Sequence, residues 1–153
     1  MIVISIPVKC HVKKYLIKRY GLVHSVSKKT FIGLFLLQLL EKKIDKPEKE
    51  IEKGAFYDLE IPEYYFNTKG YSVDKNKLKF LGICLEKLFI EDFYSFIDNE
   101  LTKGNRNAKN AIKLFFIIYE LTENELNLDS MYRNYQRYSG ENIKKKKLNI
   151  VKI

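Results

Sequence analysis

Hydrophobic and polar positions change period several times along the chain, and each change predicts an element. Ile2, Ile4 and Ile6 alternate with Val3 and Ser5, which predicts a strand over 2–6 that Pro7 ends. The period then lengthens. Val12, Leu16, Ile17 and Tyr20 fall on one helical face, with Lys9, Lys13, Lys14 and Lys18 on the other sides, and Gly21 stands where a left-handed closing residue belongs. Ser27 is the expected N-cap of a second helix reaching about residue 43. That helix is apolar nearly all round, through Phe31, Ile32, Leu34, Phe35, Leu36, Leu37, Leu39 and Leu40. Most of its sides must be buried, by the rest of the chain or by a second copy.

A charged connector with Pro47 follows over 44–54. Tyr57, Leu59 and Ile61 then alternate with Asp58 and Glu60 up to Pro62. Asn67, Thr68, Lys69 and Gly70 form a turn signal before Tyr71, Ser72 and Val73, so a small hairpin is predicted over 55–73. Asp74 is the expected cap of a helix over 75–89, and another over 91–102 ends at Gly104. Asn105 or Asn107 starts the next, through Leu121, with Ala108, Ala111, Ile112, Phe115 and Tyr119 in register. Thr122 and Glu125 form a capping box for a short helix, and Asp129 or Ser130 caps the last one. The pattern predicts a mainly α fold of five or six helices with a small β component, a short N-terminal strand plus the hairpin. Four segments are expected: a strand–helix–helix unit over 1–43, the connector, a hairpin and helical domain over 55–140, and a mobile basic tail over 141–153.

Length and composition narrow the class. The 153 residues suit one domain, and 46% apolar with 14% aromatic content rules out a disordered chain. No apolar run approaches the roughly 18 residues of a membrane span, and the first residues lack the features of a signal peptide, so a cytoplasmic protein without membrane contact is expected. Cys10 and Cys84 suit a reducing compartment as small buried hydrophobes. His11 and His24 are the only histidines, and no CxxC or HxxxH spacing joins them to the cysteines, so no metal or cofactor is expected.

The net charge of +9 is unevenly spread: residues 1–30 carry +7, residues 131–153 carry +6, and the hundred between carry −4. The residue usage, with 24 lysines, 4 arginines and 17 isoleucines, is that of an AT-rich coding sequence. Codon bias alone spreads lysine evenly, so the two basic ends point instead to a polyanionic partner.

Residues 2–43, with "IP" closing a strand, then VKCHVKKYLIKRYG and SVSKKTFIGLFLLQLL, resemble a ribbon-helix-helix DNA-binding unit. The resemblance implies a homodimer whose paired strands enter the major groove of duplex DNA. It also implies phosphate held at the start of the second helix, by Ser27, Lys28 and Lys29, with Lys13, Lys14 and Lys18 nearby. The outward strand positions are Met1, Val3 and Ser5, where that family typically places hydrogen-bonding residues, so this ribbon reads little sequence.

A second constellation is SMYRNYQRYS. Tyr132, Tyr135 and Tyr138 recur every three residues, Arg133 and Arg137 lie one turn apart, and Asn134 and Gln136 stand between. Such a helix either reads bases, with Arg on guanine and Asn or Gln on adenine, or docks on the core through its tyrosines. Lys144, Lys145, Lys146 and Lys147 add counterion-release affinity. Catalysis has little support. No phosphate-loop or triad motif is present, and Asp58, Glu60 and Glu63 with Lys69, the one arrangement suited to a metal-dependent nuclease, read better as a solvent face. A non-enzymatic nucleic-acid-binding protein, a small regulator or accessory factor, is the expectation. The alternative is a structural or protein-interaction component of a phage or mobile element, to which the chain is similar in size and residue usage, with a virion location in that case.

Overall fold

The computed structural model describes residues 2–42, 54–104 and 107–151. The connector with Pro47, the predicted helix end at Lys43, Asn105 and the last two residues lie outside them. Among the described residues are six helices and one three-stranded sheet, a mainly α fold with a small β component. The chain forms two compact units, Met1–Phe89 and Ile90–Ile153.

In the first unit, β1 (Ile2–Val8) is followed by α1 (Cys10–Tyr20), β2 (Val23–Ser25), α2 (Phe31–Leu39), β3 (Ala55–Ile61), α3 (Glu63–Lys69) and the start of α4 (Lys75–Thr102). The strand order is β1-β3-β2, with β1 antiparallel and β2 parallel to β3. Ile4 faces Leu59 and Ile6 faces Tyr57, cross-strand pairs that share one buried sheet face. Val12, Tyr15 and Leu16 of α1, Ile32, Leu36 and Leu37 of α2, and Leu81, Leu85 and Phe89 of α4 are buried as well. Tyr15 and His11 both set their rings against Phe89, at 5.4 and 5.0 Å. The Tyr57 hydroxyl donates to the Gly21 carbonyl (2.8 Å), tying the end of α1 to β3. Burial, with the Tyr20 phenol beside it, pushes that hydroxyl up to about 12.

Several expectations change here. Pro7 does not end β1, because β1 is an edge strand, where a missing N–H breaks no central ladder. The hairpin over 55–73 is replaced. Both edges of β3 are taken by β1 and β2, and beyond Pro62 the chain turns into α3, leaving Ser72 only a bridge to Glu41. Ser27 does not cap α2. Its hydroxyl accepts from the Lys29 N–H (3.3 Å) inside a turn, and Thr30 caps the helix by accepting from the Gly33 N–H (3.2 Å). α2 also ends at Leu39, short of residue 43.

In the second unit the rest of α4, α5 (Ala108–Ile118) and α6 (Leu128–Val151) pack together. The two helices expected over 75–102 are one, since no breaker separates Phe89 from Glu91 and the buried series Leu81, Leu85, Phe89, Phe93 and Ile97 continues at every fourth position. Asn107 caps α5 by accepting from the Asn110 N–H (2.8 Å). α5 closes with Glu120 at φ 55°, the Leu121 N–H reaching the Phe116 carbonyl (2.8 Å) and the Glu120 N–H the Ile117 carbonyl (3.2 Å), a Schellman ending. Thr122 to Leu126 make a turn instead of the short helix expected there. The cap of α6 is Asn127, ahead of Asp129 and Ser130, accepting from the Ser130 N–H (2.9 Å). α6 continues through Gly140 to Val151, where a mobile tail was expected.

Candidate nucleic-acid interface

The tyrosine repeat of α6 divides by face. Tyr135 is buried, and its hydroxyl donates to Asp98 Oδ1 (2.7 Å), while the Tyr138 hydroxyl donates to Asp98 Oδ2 (3.1 Å). The Tyr138 ring stacks on Tyr94 with centroids 4.2 Å apart and planes 11° apart. Asp98 and Tyr94 belong to α4, so these contacts dock α6 within its own unit. Burial first, then the hydrogen bond to Asp98 and its negative charge, hold Tyr135 and Tyr138 above the ordinary phenol range. Both remain protonated donors at neutral pH. Tyr132 is half-buried.

The opposite face carries the cations. At about 100° per residue, Arg133, Arg137, Lys144 and Lys147 fall within about 80° of arc, directly away from Met131, Tyr135, Tyr138 and Asn142. All four are exposed, and they span about 21 Å of helix at about 1.5 Å per residue. Gly140 sits at the middle of this stripe, and Gln136, also exposed, lies along one border. Asn134 is half-buried and lies off it, beyond the Arg137 border. Lys145 and Lys146, though exposed, project from other sides of the helix. Lys146 lines a pocket of about 300 Å³ with Asp98, Thr102, Tyr138, Ser139 and Asn142. Helical phase therefore sorts four consecutive lysines into two on the stripe and two off it, a distinction the bare run KKKK hides.

The N-terminal candidates lie in the other unit. Lys13 and Lys14 are half-buried on α1 and Lys18 is exposed there, while Lys28 and Lys29 are exposed in the turn ahead of α2. Because α2 starts at Phe31, Ser27, Lys28 and Lys29 precede its first turn instead of forming it. Lys9 is engaged by Glu86 (2.7 Å), and Arg19 bonds the Tyr15 hydroxyl (2.8 Å) and lies over the Tyr20 ring. β1 is paired over its whole length with β3 of the same chain, so one edge of the strand that the ribbon resemblance assigns to a second copy is occupied.

The candidate acidic cluster is dispersed: Asp58 accepts from the Ser5 hydroxyl, Glu63 starts α3 and Lys69 ends it. Among the described residues, no group of three His, Cys, Asp or Glu side chains is placed to hold a metal ion. His11 is buried with its ring tilted against Phe89, and His24 bonds the Thr30 hydroxyl (2.9 Å) with its pKa lowered by burial. Among the described residues, no helix is long and apolar enough to cross a membrane. No family model matches the chain, and no curated protein or solved structure does so either.

Proposed function

We propose that this protein binds nucleic acid, neutralising duplex phosphates with the outward stripe of α6. The observation that carries the reading is the segregation of α6 into two faces. Tyrosines and Asp98 hold one side to the unit's core, so four cations are presented together on a supported helix. A polyanion gains from this arrangement because each phosphate contact releases condensed counterions, and a preformed row of charges needs little reordering. Arg133 and Arg137 can bond bases or phosphates bidentately, with Gln136 beside them, which permits modest base readout. Lys13, Lys14, Lys18, Lys28 and Lys29 add favourable charge from the other unit.

The test is a titration of duplex DNA with Arg133→Ala/Arg137→Ala. The double variant is expected to weaken binding by roughly tenfold or more at low salt and to reduce the salt slope by about 2. Its melting curve should match the parent, since both side chains are exposed. Unchanged affinity overturns the assignment to α6. Absence of any binding at low salt by the parent chain would leave the protein-interaction reading.

A further inference from the structure

α2 was expected to be buried on nearly every side, yet one of its faces remains open. Phe31 is 57% exposed and Leu34 46%, and on α4 Phe80 is 56% exposed. Phe35, half-buried, joins the two helices: its ring centroid is 6.0 Å from Phe31 and 6.3 Å from Phe80, with both pairs tilted by 34°. Isolated exposed apolar residues need no explanation, but three linked aromatic rings, two of them more than half exposed, mark a surface that something covers.

Lysines outnumber carboxylates around this group. Lys28 and Lys29 precede Phe31 by three and two residues, Lys79 adjoins Phe80, and Lys87 lies one helical turn beyond Ile83; all four are exposed. Two carboxylates nearby are engaged, Glu86 by Lys9 and Glu41 by Lys77. A second copy meeting this face about a two-fold axis sets the lysine rim against itself. A polyanion with flat apolar groups fits both features, since the lysines take its phosphates and the phenyl rings take its bases.

We propose that the Phe31–Phe35–Phe80 face is a stacking platform for single-stranded nucleic acid, separate from the duplex-binding stripe of α6. It rests on the nucleic-acid reading above and adds a second substrate class to it. The contrast between the two surfaces supports the division. Between Arg133 and Lys147 the outward face of α6 carries no aromatic residue, because Tyr135 and Tyr138 are used against Asp98 and Tyr94. That stripe suits a duplex, whose bases are hidden, whereas α2 and α4 offer rings to unstacked bases. Stacking tolerates any base, so the platform is expected to bind with little sequence preference.

The experiment compares the full chain with Phe31→Leu/Phe80→Leu and Phe31→Tyr/Phe80→Tyr, using labelled oligothymidylate, oligouridylate and a DNA duplex. Leucine keeps apolar area and removes the π-face; tyrosine keeps the face. The leucine pair is expected to lose roughly tenfold or more in single-strand affinity, and the tyrosine pair to retain it. Duplex affinity should be the same for all three proteins. The chain has no tryptophan, so Phe80→Trp adds one indole whose fluorescence should be quenched by oligothymidylate. Full single-strand binding by the leucine pair overturns the proposal. So does a loss confined to anionic lipid vesicles or to an acidic peptide, with oligonucleotide binding intact. If the parent binds duplex but no single strand, the platform fails and the α6 reading stands; if it binds neither, both fail.

Discussion

Gly82→Ala is expected to destabilise the Met1–Phe89 unit by about 2 kcal/mol, whereas Gly140→Ala should stabilise α6 by about 1 kcal/mol. Both glycines lie inside helices, where alanine is intrinsically favoured by about 0.5–1 kcal/mol. What differs is the surroundings. A Cβ on Gly82 would run into the Pro7 carbonyl oxygen, a backbone atom held in β1. Relief requires α4 to lift from the sheet, which loosens the packing of Leu81 and Leu85. A Cβ on Gly140 would meet nothing within 4 Å. Urea melts followed by circular dichroism check the pair of signs. A stabilised Gly82→Ala protein would show that α4 does not approach β1 this closely.

Asp98→Ala is expected to be the most damaging single change in the Ile90–Ile153 unit, costing about 2–4 kcal/mol. Hydrogen bonds to a charged acceptor contribute about 1.5–3 kcal/mol each, and this carboxylate accepts two. Truncation leaves the Tyr135 hydroxyl buried, with the Ser139 side chain as its remaining partner. The expected total stays below the sum of two full bonds because Asp98 is only half-buried. Asp98→Asn keeps the shape and one acceptor oxygen, and one tyrosine hydroxyl can rotate to accept from its amide, so it should fall between parent and alanine. Ordering parent above Asn above Ala in urea midpoint confirms that Asp98 docks α6. Equal midpoints for all three contradict it.

Local signals were readable where neighbours in sequence decide the outcome. The alternation in β1, the face of α1 with Gly21 behind it, and the helical register of α5 all follow from spacing alone. Partner choice was not readable. Residues 63–69 carry Tyr64, Tyr65 and Phe66, good strand formers, yet they form α3 because β3 already has a strand on each side. Thr30 outcompetes Ser27 as a cap by position: it stands immediately before Phe31, while the Ser27 hydroxyl is spent on the Lys29 N–H.

The candidate site shows the same division. The tyrosine and arginine spacing of α6 was visible, and so were both roles open to it. That Tyr135 and Tyr138 dock the helix depends on Asp98 and Tyr94, some forty residues earlier, and no local pattern announces that contact. The open aromatic face of α2 and α4 was missed for a related reason. A nearly all-round apolar helix was expected to be buried on most sides, by the chain or by a second copy, and the signal that would have exposed the surface was Phe80 on the polar side of α4. The charge asymmetry resolves in a similar way. At the C-terminal end it condenses into one stripe with Lys145 and Lys146 outside it.

The central claim is that four α6 cations act together on phosphate, and salt dependence tests it most directly. Duplex affinity of the full chain would be measured across a range of salt concentrations, beside a variant with Arg133, Arg137, Lys144 and Lys147 all replaced by alanine. Each phosphate contact contributes about 0.9 to the slope of log K against log salt, so the variant's slope should be shallower by about 3.6. Equal slopes for the two proteins would contradict the account.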